Sequence, residues 1–115
     1  MSVDLQPAFR ALGDPTRRAI LTQLCQGDMT ISEVVDKFDI TRTAVRKHLT
    51  ILEEGDLIVV TARGKERVTT LNPTGLKSTV DWFNYFDRYW DNALNSLTTA
   101  IDNNNRKQTK RKQIK

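Results

Sequence analysis

The 115-residue sequence is poor in cysteine, histidine and proline, and it lacks any long apolar run. Its single cysteine cannot form an intramolecular disulfide, which suits a reducing cytosol. No stretch approaches the roughly 20 apolar residues that a membrane helix needs. The N-terminus also lacks a basic segment followed by an apolar one, so we expect no secretory signal. These absences predict a small cytoplasmic protein of one domain.

The groups that common active sites use are also scarce. There is one histidine, no P-loop and no dinucleotide-binding fingerprint. Paired carboxylates at a credible cleft position are missing too, so no set of residues fills the roles of an active site and we expect no enzyme. We expect Cys25 to be a small core residue, because no basic residue lies near it in the sequence to favour the thiolate.

Positive charge is concentrated in a few stretches of the chain. The formal net charge is +4, but the last ten residues hold six of the 18 Lys and Arg and no acid. The rest of the chain therefore has 12 basic and 14 acidic residues. Local basic patches of this kind favour a docking face over indiscriminate binding of anions.

Two short helices joined by a tight turn are predicted between Thr30 and Leu52. Thr30 and Glu33 have the spacing of a capping box, and Thr41 can cap the second helix, at about 41–54. The apolar side of this helix consists of Val45, Leu49 and Leu52. Its opposite side consists of Arg42, Thr43, Arg46 and Lys47. The pattern favours a helix-turn-helix that places its second helix in the DNA major groove. The alternative is an ordinary helical corner with a solvated basic face.

A β-hairpin is predicted directly after this corner, at about 57–71. Two strand-forming runs, Leu57 to Ala62 and Arg67 to Leu71, flank a turn that contains Gly64. A hairpin in this position is typical of the wing of a winged helix. The basic residues of its tip are Arg63, Lys65 and Arg67, which we expect to contact DNA phosphates. The alternative is a solubilising hairpin tip.

Two helices are predicted before the helix-turn-helix. The first runs from near Asp4 to Leu12, and Gly13 can end it in a left-handed conformation. Asp14 and Pro15 form a typical helix start, with the aspartate as N-cap and proline at the first helical position. We expect Gly27 to end this second helix.

A long last helix is predicted from Gly75 to about Ile101, with Thr74 as its cap. Six of the eight aromatic residues lie between 82 and 90, and Asp87 interrupts a near-heptad apolar stripe. A small core cannot cover so much apolar surface, so we predict a dimer interface. A pocket for an apolar ligand is the alternative.

These elements predict a mainly α fold with a β-hairpin wing, in the order α-α-α-α-β-β-α. Residues 1–102 would form the DNA-binding and dimerisation domain. Residues 103–115 are polar and basic, and we expect a disordered tail because they have little apolar surface to offset the entropy of ordering. This tail would either follow DNA phosphates or aid solubility.

Two stretches are similar to a known family. Residues 9–21, FRALGDPTRRAIL, fit the opening F-x-A-L-x-D-P-T-R-R-x-I-L, and His48, Leu49 and Leu52 fit the H-L-x-x-L end of a recognition helix. Over about residues 9–72 the chain resembles the ArsR-type (arsenical-resistance-repressor-like) winged-helix transcriptional regulators. The pattern of Tyr89, Trp90, Leu94 and Leu97 resembles a metal-independent branch of that family.

The resemblance implies a homodimeric repressor that binds double-stranded DNA. Recognition helices about 34 Å apart favour an inverted repeat. Arg42 and Arg46 are expected at base edges, since Arg can bridge guanine O6 and N7. The full set of expected DNA-binding residues is Thr41, Arg42, Thr43, Arg46, Lys47, His48, Arg63, Lys65 and Arg67. The expected dimerisation residues are Leu5, Phe9, Trp82, Phe83, Phe86, Tyr89, Trp90, Leu94 and Leu97. The alternative function is a protein-interaction module in which the last helix binds a partner and DNA contact is secondary.

The sequence departs from metal-sensing members of the family. Their metal-binding stretch, ELCVCDL, falls on residues 28–34, where Thr30 and Ser32 replace the two thiolates. A second type of site uses histidines and carboxylates of the last helix, where this chain keeps Asp81, Asp87 and Asp91 but no histidine. We therefore expect no metal and no other cofactor. Arg46 is a further departure, because members often carry serine at this position.

Overall fold

A computed structural model describes residues 4–108 of the chain. The order of helices agrees with the prediction, and one short strand is added before the helix-turn-helix. The elements are α1 (Gln6–Leu12), α2 (Pro15–Leu24), β1 (Met29–Thr30), α3 (Ile31–Phe38), α4 (Arg42–Glu54), β2 (Ile58–Arg63), β3 (Glu66–Leu71) and α5 (Pro73–Gln108). The predicted winged helix-turn-helix fold is thus confirmed. None of the helices in the described range has the length and apolarity that a membrane span requires.

Side-chain caps begin three of the helices at the residues predicted from sequence. Asp14 Oδ2 accepts a hydrogen bond from the Arg17 backbone N–H at 3.1 Å and caps α2. Thr30 begins α3 with a complete capping box, in which Glu33 reaches back to the Thr30 N–H at 2.8 Å. Thr41 Oγ1 accepts from the Ala44 N–H at 3.1 Å and caps α4. Each cap satisfies backbone donors that the first helical turn leaves unpaired.

The core joins the helices to the base of the hairpin. Residues from the first four helices, from β2 and from the loop before it are fully or almost fully buried in one cluster. Its members are Ala8, Ala11, Ile20, Leu21, Leu24, Ile31, Val34, Val45, Leu49, Leu52, Leu57 and Ile58. Leu76, near the start of α5, packs against this cluster and is half-buried. Helix α4 therefore packs against a continuous apolar core.

The three strands form an antiparallel sheet in the order β1-β3-β2. In the hairpin, Ile58 pairs with Leu71 and Arg63 pairs with Glu66. Two residues remain for the turn, and Gly64 takes a φ of 65° in its first position. A side chain is disfavoured at such an angle, so glycine permits the tight turn that holds the wing tip together.

Several boundaries differ from the sequence-based predictions. Gly13 has a φ of −75°, so it ends α1 without the left-handed conformation predicted for it. Helix α2 ends at Leu24, three residues before Gly27. The prediction of Cys25 as a core residue is wrong, because its position after the last turn of α2 leaves it exposed.

The last helix begins earlier and ends later than predicted. Asn72 rather than Thr74 serves as its cap, since Asn72 Oδ1 accepts from the Thr74 N–H at 3.2 Å and Pro73 takes the first helical position. The helix continues to Gln108, so residues 103–108 are helical although the predicted tail began at 103. Residues 109–115 of that tail lie outside the described residues.

The chain divides into two compact units, one ending at Val80 and the other beginning at Asp81. In the first unit, two glycines permit close backbone contacts. A Cβ at Gly55 would lie 2.9 Å from the carbonyl oxygen of Pro7, and one at Gly75 would clash with the backbone of Asp56. These contacts fix the end of α4 against α1 and the start of α5 against the loop before β2.

Candidate DNA-binding surface

Helix α4 separates apolar and basic side chains as predicted. Val45, Leu49 and Leu52 are at most 2% exposed and form its inner side. The exposed residues of its first two turns are Arg42, Thr43, Arg46 and Lys47. Three cationic side chains are therefore presented along one side of a helix whose back is anchored in the core. A duplex bears about one negative charge per 1.7 Å of its axis, so such a side is suited to it.

The turn between α3 and α4 has a left-handed residue and is bridged by a side-chain hydrogen bond. Asp39 ends α3 in a left-handed conformation with a φ of 53°, and its N–H donates to the Val35 carbonyl at 2.9 Å. Aspartate is among the residues that tolerate this conformation best. Across the turn, the Arg42 guanidinium donates to Ser32 Oγ at 2.7 Å. This contact links the first turns of the two helices, and Ser32 was not predicted to make it.

A cleft runs between α4 and the hairpin. Two adjoining cavities of about 270 and 210 Å³ share Ile31, Arg46 and Arg67 among their lining residues. The second cavity is also lined by Arg42, Lys65 and Glu66. Four cationic side chains and one carboxylate thus surround it, and an anion is the ligand that this charge balance favours. The helix-turn-helix and the wing contribute to the same basic surface.

Glu53 connects the end of α4 to the wing. Its Oε2 accepts a hydrogen bond from the backbone N–H of Val60 at 3.3 Å. Val60 lies on β2, and Glu53 and Val60 both line the first cavity of the cleft. This contact helps to set the distance between hairpin and recognition helix. Sequence spacing gave no sign of it, because Glu53 and Val60 belong to different elements.

The wing tip is polar and solvent-accessible. Arg63, Lys65 and Arg67 are all exposed, as phosphate contacts require. Only Lys65 and Arg67 of these three line the cleft, together with residues of α3 and α4. Lys65 and Arg67 therefore face the helix-turn-helix across the cleft, whereas Arg63 is exposed outside it.

His48 lies on a different side of α4 from the exposed cations. It is half-buried, and its Nδ1 lies 3.3 Å from the Arg17 guanidinium of α2. Asp14 is close by, and its pKa is lowered first by the hydrogen bond from the Arg17 N–H and further by the charge of Arg17. Arg17 was not among the predicted functional residues, although it belongs to the opening motif that carried the family resemblance.

The residues predicted for dimerisation differ in exposure. Leu5 and Phe9, in the first unit, are half-buried. In the second unit Phe86 is half-buried, with its ring centroid 4.5 Å from that of Trp82. The remaining predicted residues are exposed by 40–59%, and they are Trp82, Phe83, Tyr89, Trp90, Leu94 and Leu97. This is a large apolar surface on one helix, beyond the scattered apolar residues of ordinary protein surfaces.

The described part of the chain carries no group of side chains suited to a metal ion. Between residues 4 and 108, no three side chains of His, Cys, Asp or Glu form a group that could hold a metal ion. Thr30 and Ser32, which replace the family's two thiolates, are instead engaged in capping α3 and in binding Arg42.

The proteins that this chain is similar to agree with the helix-turn-helix formed by α3 and α4. Residues 12–61 match a family model described as a helix-turn-helix domain. The chain is 36% identical to the transcriptional repressor SdpR of Bacillus subtilis (strain 168) over 86 residues, which are 75% of this chain and 96% of that protein. It is also 36% identical to the HTH-type transcriptional regulator Rv2034 of Mycobacterium tuberculosis over 96 residues, which are 83% of this chain and 86% of that protein.

Solved structures give the same result. The crystal structure of the ArsR family transcriptional regulator RHA00566 superposes with a TM-score of 0.69 at 30% identity, covering 79% of this chain and 97% of that one. An ArsR-like transcriptional regulator from Rhodococcus sp. RHA1 superposes with a TM-score of 0.68 at 28% identity, covering 84% and 91%. All these relatives are named as regulators of transcription and none as an enzyme. The chain therefore belongs to the ArsR-type winged helix-turn-helix transcriptional regulators.

Proposed function

We propose that this regulator is a cytoplasmic homodimeric repressor that recognises a specific operator, with α4 of each protomer in the major groove and the β2–β3 wing on the phosphate backbone. The observation that carries the proposal is the exposure of Arg42, Arg46 and Lys47 opposite the buried back of α4. A helix with cations on one side and its other side fixed in the core can enter a groove as a rigid unit.

The cleft supports a division of labour among the basic residues. Arg46 lies on the exposed side of α4 and also lines the cleft beside Arg67 of the wing. We assign Arg42 and Arg46 to base edges, where a guanidinium can bind guanine through two hydrogen bonds. We assign the remaining exposed basic residues and Thr43 to phosphates, namely Thr43, Lys47, Arg63, Lys65 and Arg67. His48 is half-buried against Arg17, so we assign it to packing.

The second unit supports the homodimer. Phe83, Trp90 and Leu97 recur at intervals of seven residues on α5, and each is more than half exposed. Leu94 and Ile101, which are also exposed, continue a second row that begins with Asp87. Two rows of this spacing form the apolar seam of a coiled coil, so a second copy of the helix is the partner that fits. Repressors built in this way bind inverted repeats.

A ligand pocket in α5 has less support than this interface. Trp82, Phe83, Phe86 and Trp90 line a groove of about 600 Å³, but all its lining residues belong to α5. A ligand pocket usually encloses most of its ligand between several elements. An open groove on one helix suits a long apolar partner better.

The decisive experiment is a binding titration with Arg46→Ala. Operator DNA is first obtained from genomic fragments that the purified wild-type protein protects, and random DNA of equal length serves for comparison. We expect Arg46→Ala to weaken operator binding by about tenfold or more, the effect of about 1–3 kcal/mol for one bidentate base contact. Binding to random DNA should change by less than about threefold, since loss of one base contact leaves the phosphate contacts intact.

Lys37→Ala is the matched control, because Lys37 is an exposed cation in the last turn of α3 outside the cleft. Its affinities should equal those of the wild type. Equal losses on both DNAs for Arg46→Ala would place Arg46 among the phosphate contacts. A wild-type protein with no preference for any genomic fragment would contradict sequence-specific regulation. It would favour the protein-interaction module, which the exposed aromatic residues of α5 also support.

A further inference from the structure

One arginine outside the helix-turn-helix contacts the recognition helix directly. Arg17, in the first turn of α2, uses all three nitrogens of its guanidinium. Nε donates to the Ala11 carbonyl at 2.8 Å and Nη2 donates to the Arg10 carbonyl at 3.1 Å. Nη1 lies 3.3 Å from Nδ1 of His48. A single planar group thus joins the last turn of α1, the start of α2 and the middle of α4.

This geometry determines which nitrogen of His48 carries the proton. A guanidinium has five N–H donors and no acceptor, so Nδ1 of His48 must accept the hydrogen bond. The neutral imidazole then carries its proton on Nε2, which remains able to donate. Of the charged groups near this ring, Arg17 approaches it directly, and Asp14 is the neighbouring carboxylate, which accepts from the Arg17 backbone N–H. Arg17 therefore fixes both the orientation and the tautomer of His48.

We propose that Arg17 is a positioning residue for operator recognition, which acts through His48 to hold α4 at the correct rotation about its axis. The proposal rests on the function proposed above. His48 follows Arg46 and Lys47 directly in α4, so a rotation that moves His48 also moves these two cations. Base contacts tolerate little displacement, because two parallel hydrogen bonds must form at once. Phosphate contacts by flexible lysines tolerate more.

Arg17 also stabilises the corner between α1 and α2, and the test must separate this role from positioning. Arg18 provides the control. Its guanidinium donates to the Leu12 carbonyl at 2.7 Å, so it binds the end of the same helix. In contrast to Arg17, its hydrogen bonds in the described structure do not include one to α4. Arg18→Ala should lower the melting temperature but leave the ratio of operator to random-DNA affinity as in the wild type.

The experiment is a double-mutant cycle on operator binding with Arg17→Ala, His48→Gln and the double variant. The glutamine amide lies near the position of Nε2 and removes the acceptor at Nδ1. We expect each single variant to weaken operator binding by about three- to tenfold, and the second substitution to add less than about twofold, because contacting residues couple. Random-DNA affinity should change little.

Additive losses in this cycle would overturn the inference, and so would equal losses on both DNAs. A wild-type protein without operator preference would instead overturn the proposed function, so the two failures are distinguishable. His48→Asn keeps the test decisive if Arg17→Ala does not fold, since its amide oxygen can occupy the position of Nδ1 and accept from Arg17. We expect His48→Asn to keep more operator preference than His48→Gln; equal preference in the two variants contradicts the inference.

Discussion

Arg42 of α4 donates a 2.7 Å hydrogen bond to Oγ of Ser32 in α3. Both residues are exposed, so the bond holds the guanidinium beside α3 while the protein is free of DNA. A guanidinium that binds a base edge must first leave this hydroxyl, and the net worth of such a bond is about 0.5–1.5 kcal/mol. In the free protein, Ser32 thus binds Arg42, which is one of the two arginines proposed to contact bases.

Ser32→Ala should therefore tighten operator binding by about two- to fivefold, because Arg42 no longer has a bond to break. Arg42→Ala should weaken it by about tenfold. Fluorescence titrations of both variants with operator and random DNA measure these changes. If Ser32→Ala weakens binding as Arg42→Ala does, then Ser32 orients Arg42 toward a phosphate, and Arg42 is not a base-reading residue.

Lys65 at the wing tip tests the contribution of the hairpin to the DNA footprint. Each phosphate contact that is lost should reduce the slope of log K against log salt concentration by about 0.9, because one counterion fewer is released. Lys65→Ala should thus lower the slope by about 0.9 for each protomer that binds. Titrations at several salt concentrations give the slope, and Lys37→Ala supplies a charge-matched control with the slope of the wild type. An unchanged slope for Lys65→Ala would show that Lys65 does not contact DNA phosphates.

The features that sequence predicted correctly are those encoded over a few residues. Thr30 and Glu33 form the capping box because one helical turn brings them together, whatever the rest of the chain does. The spacing of Val45, Leu49 and Leu52 likewise fixed the buried side of α4. The wing followed from two strand-forming runs around Gly64.

The features that sequence missed depend on distant parts of the chain. Arg17 and His48 are 31 residues apart, and no spacing rule relates them. Strand β1 has two residues and exists because Met29 and Thr30 pair with β3, some 40 residues further along the chain. The prediction for Cys25 was wrong because the second helix was expected to continue to Gly27, whereas α2 ends at Leu24 and leaves Cys25 exposed. In each case, tertiary packing decided what local pattern left open.

Asp14 makes the folding stability of the first unit depend on pH in the acidic range. Its pKa is lowered by the hydrogen bond from the Arg17 N–H and by the positive charges nearby. A carboxylate with a depressed pKa in the folded state stabilises the fold above its unfolded pKa, and this stabilisation is lost as pH falls through the folded value. Asn is also a good N-cap but does not titrate, so Asp14→Asn should keep the cap and lose the charge.

Melting curves from pH 7 down to about pH 3 test this. The melting temperature of the wild type should fall more steeply below pH 4 than that of Asp14→Asn, so that the two curves converge in acid. Parallel curves over the whole range would show that the charge of Asp14 does not contribute to folding.

Thr69 of β3 carries a buried hydroxyl that has no hydrogen-bond partner among the described residues. Valine has nearly the same shape without the polar atom, so Thr69→Val should raise the free energy of unfolding by about 1 kcal/mol. Thr79 is the control, because it is also buried but donates to the Gly75 carbonyl at 3.2 Å. Urea unfolding of Thr69→Val and Thr79→Val should show stabilisation only in the first. A loss of stability in Thr69→Val would indicate that its hydroxyl is satisfied.

Asp87 tests the proposed dimer seam of α5. It occupies the row that continues with Leu94 and Ile101, where two paired helices would bury its carboxylate. A charge taken out of water without a partner opposes association, whereas burial of a leucine contributes about 1.5–3 kcal/mol. Asp87→Leu should therefore tighten the dimer by about tenfold or more. Asp102→Leu adds the same apolar surface off the seam, so its dimer dissociation constant should equal that of the wild type. Sedimentation equilibrium over a range of protein concentrations measures all three constants. If Asp87→Leu and Asp102→Leu have the same dissociation constant, residue 87 is not buried between two helices, and the α5 seam is not the dimer interface.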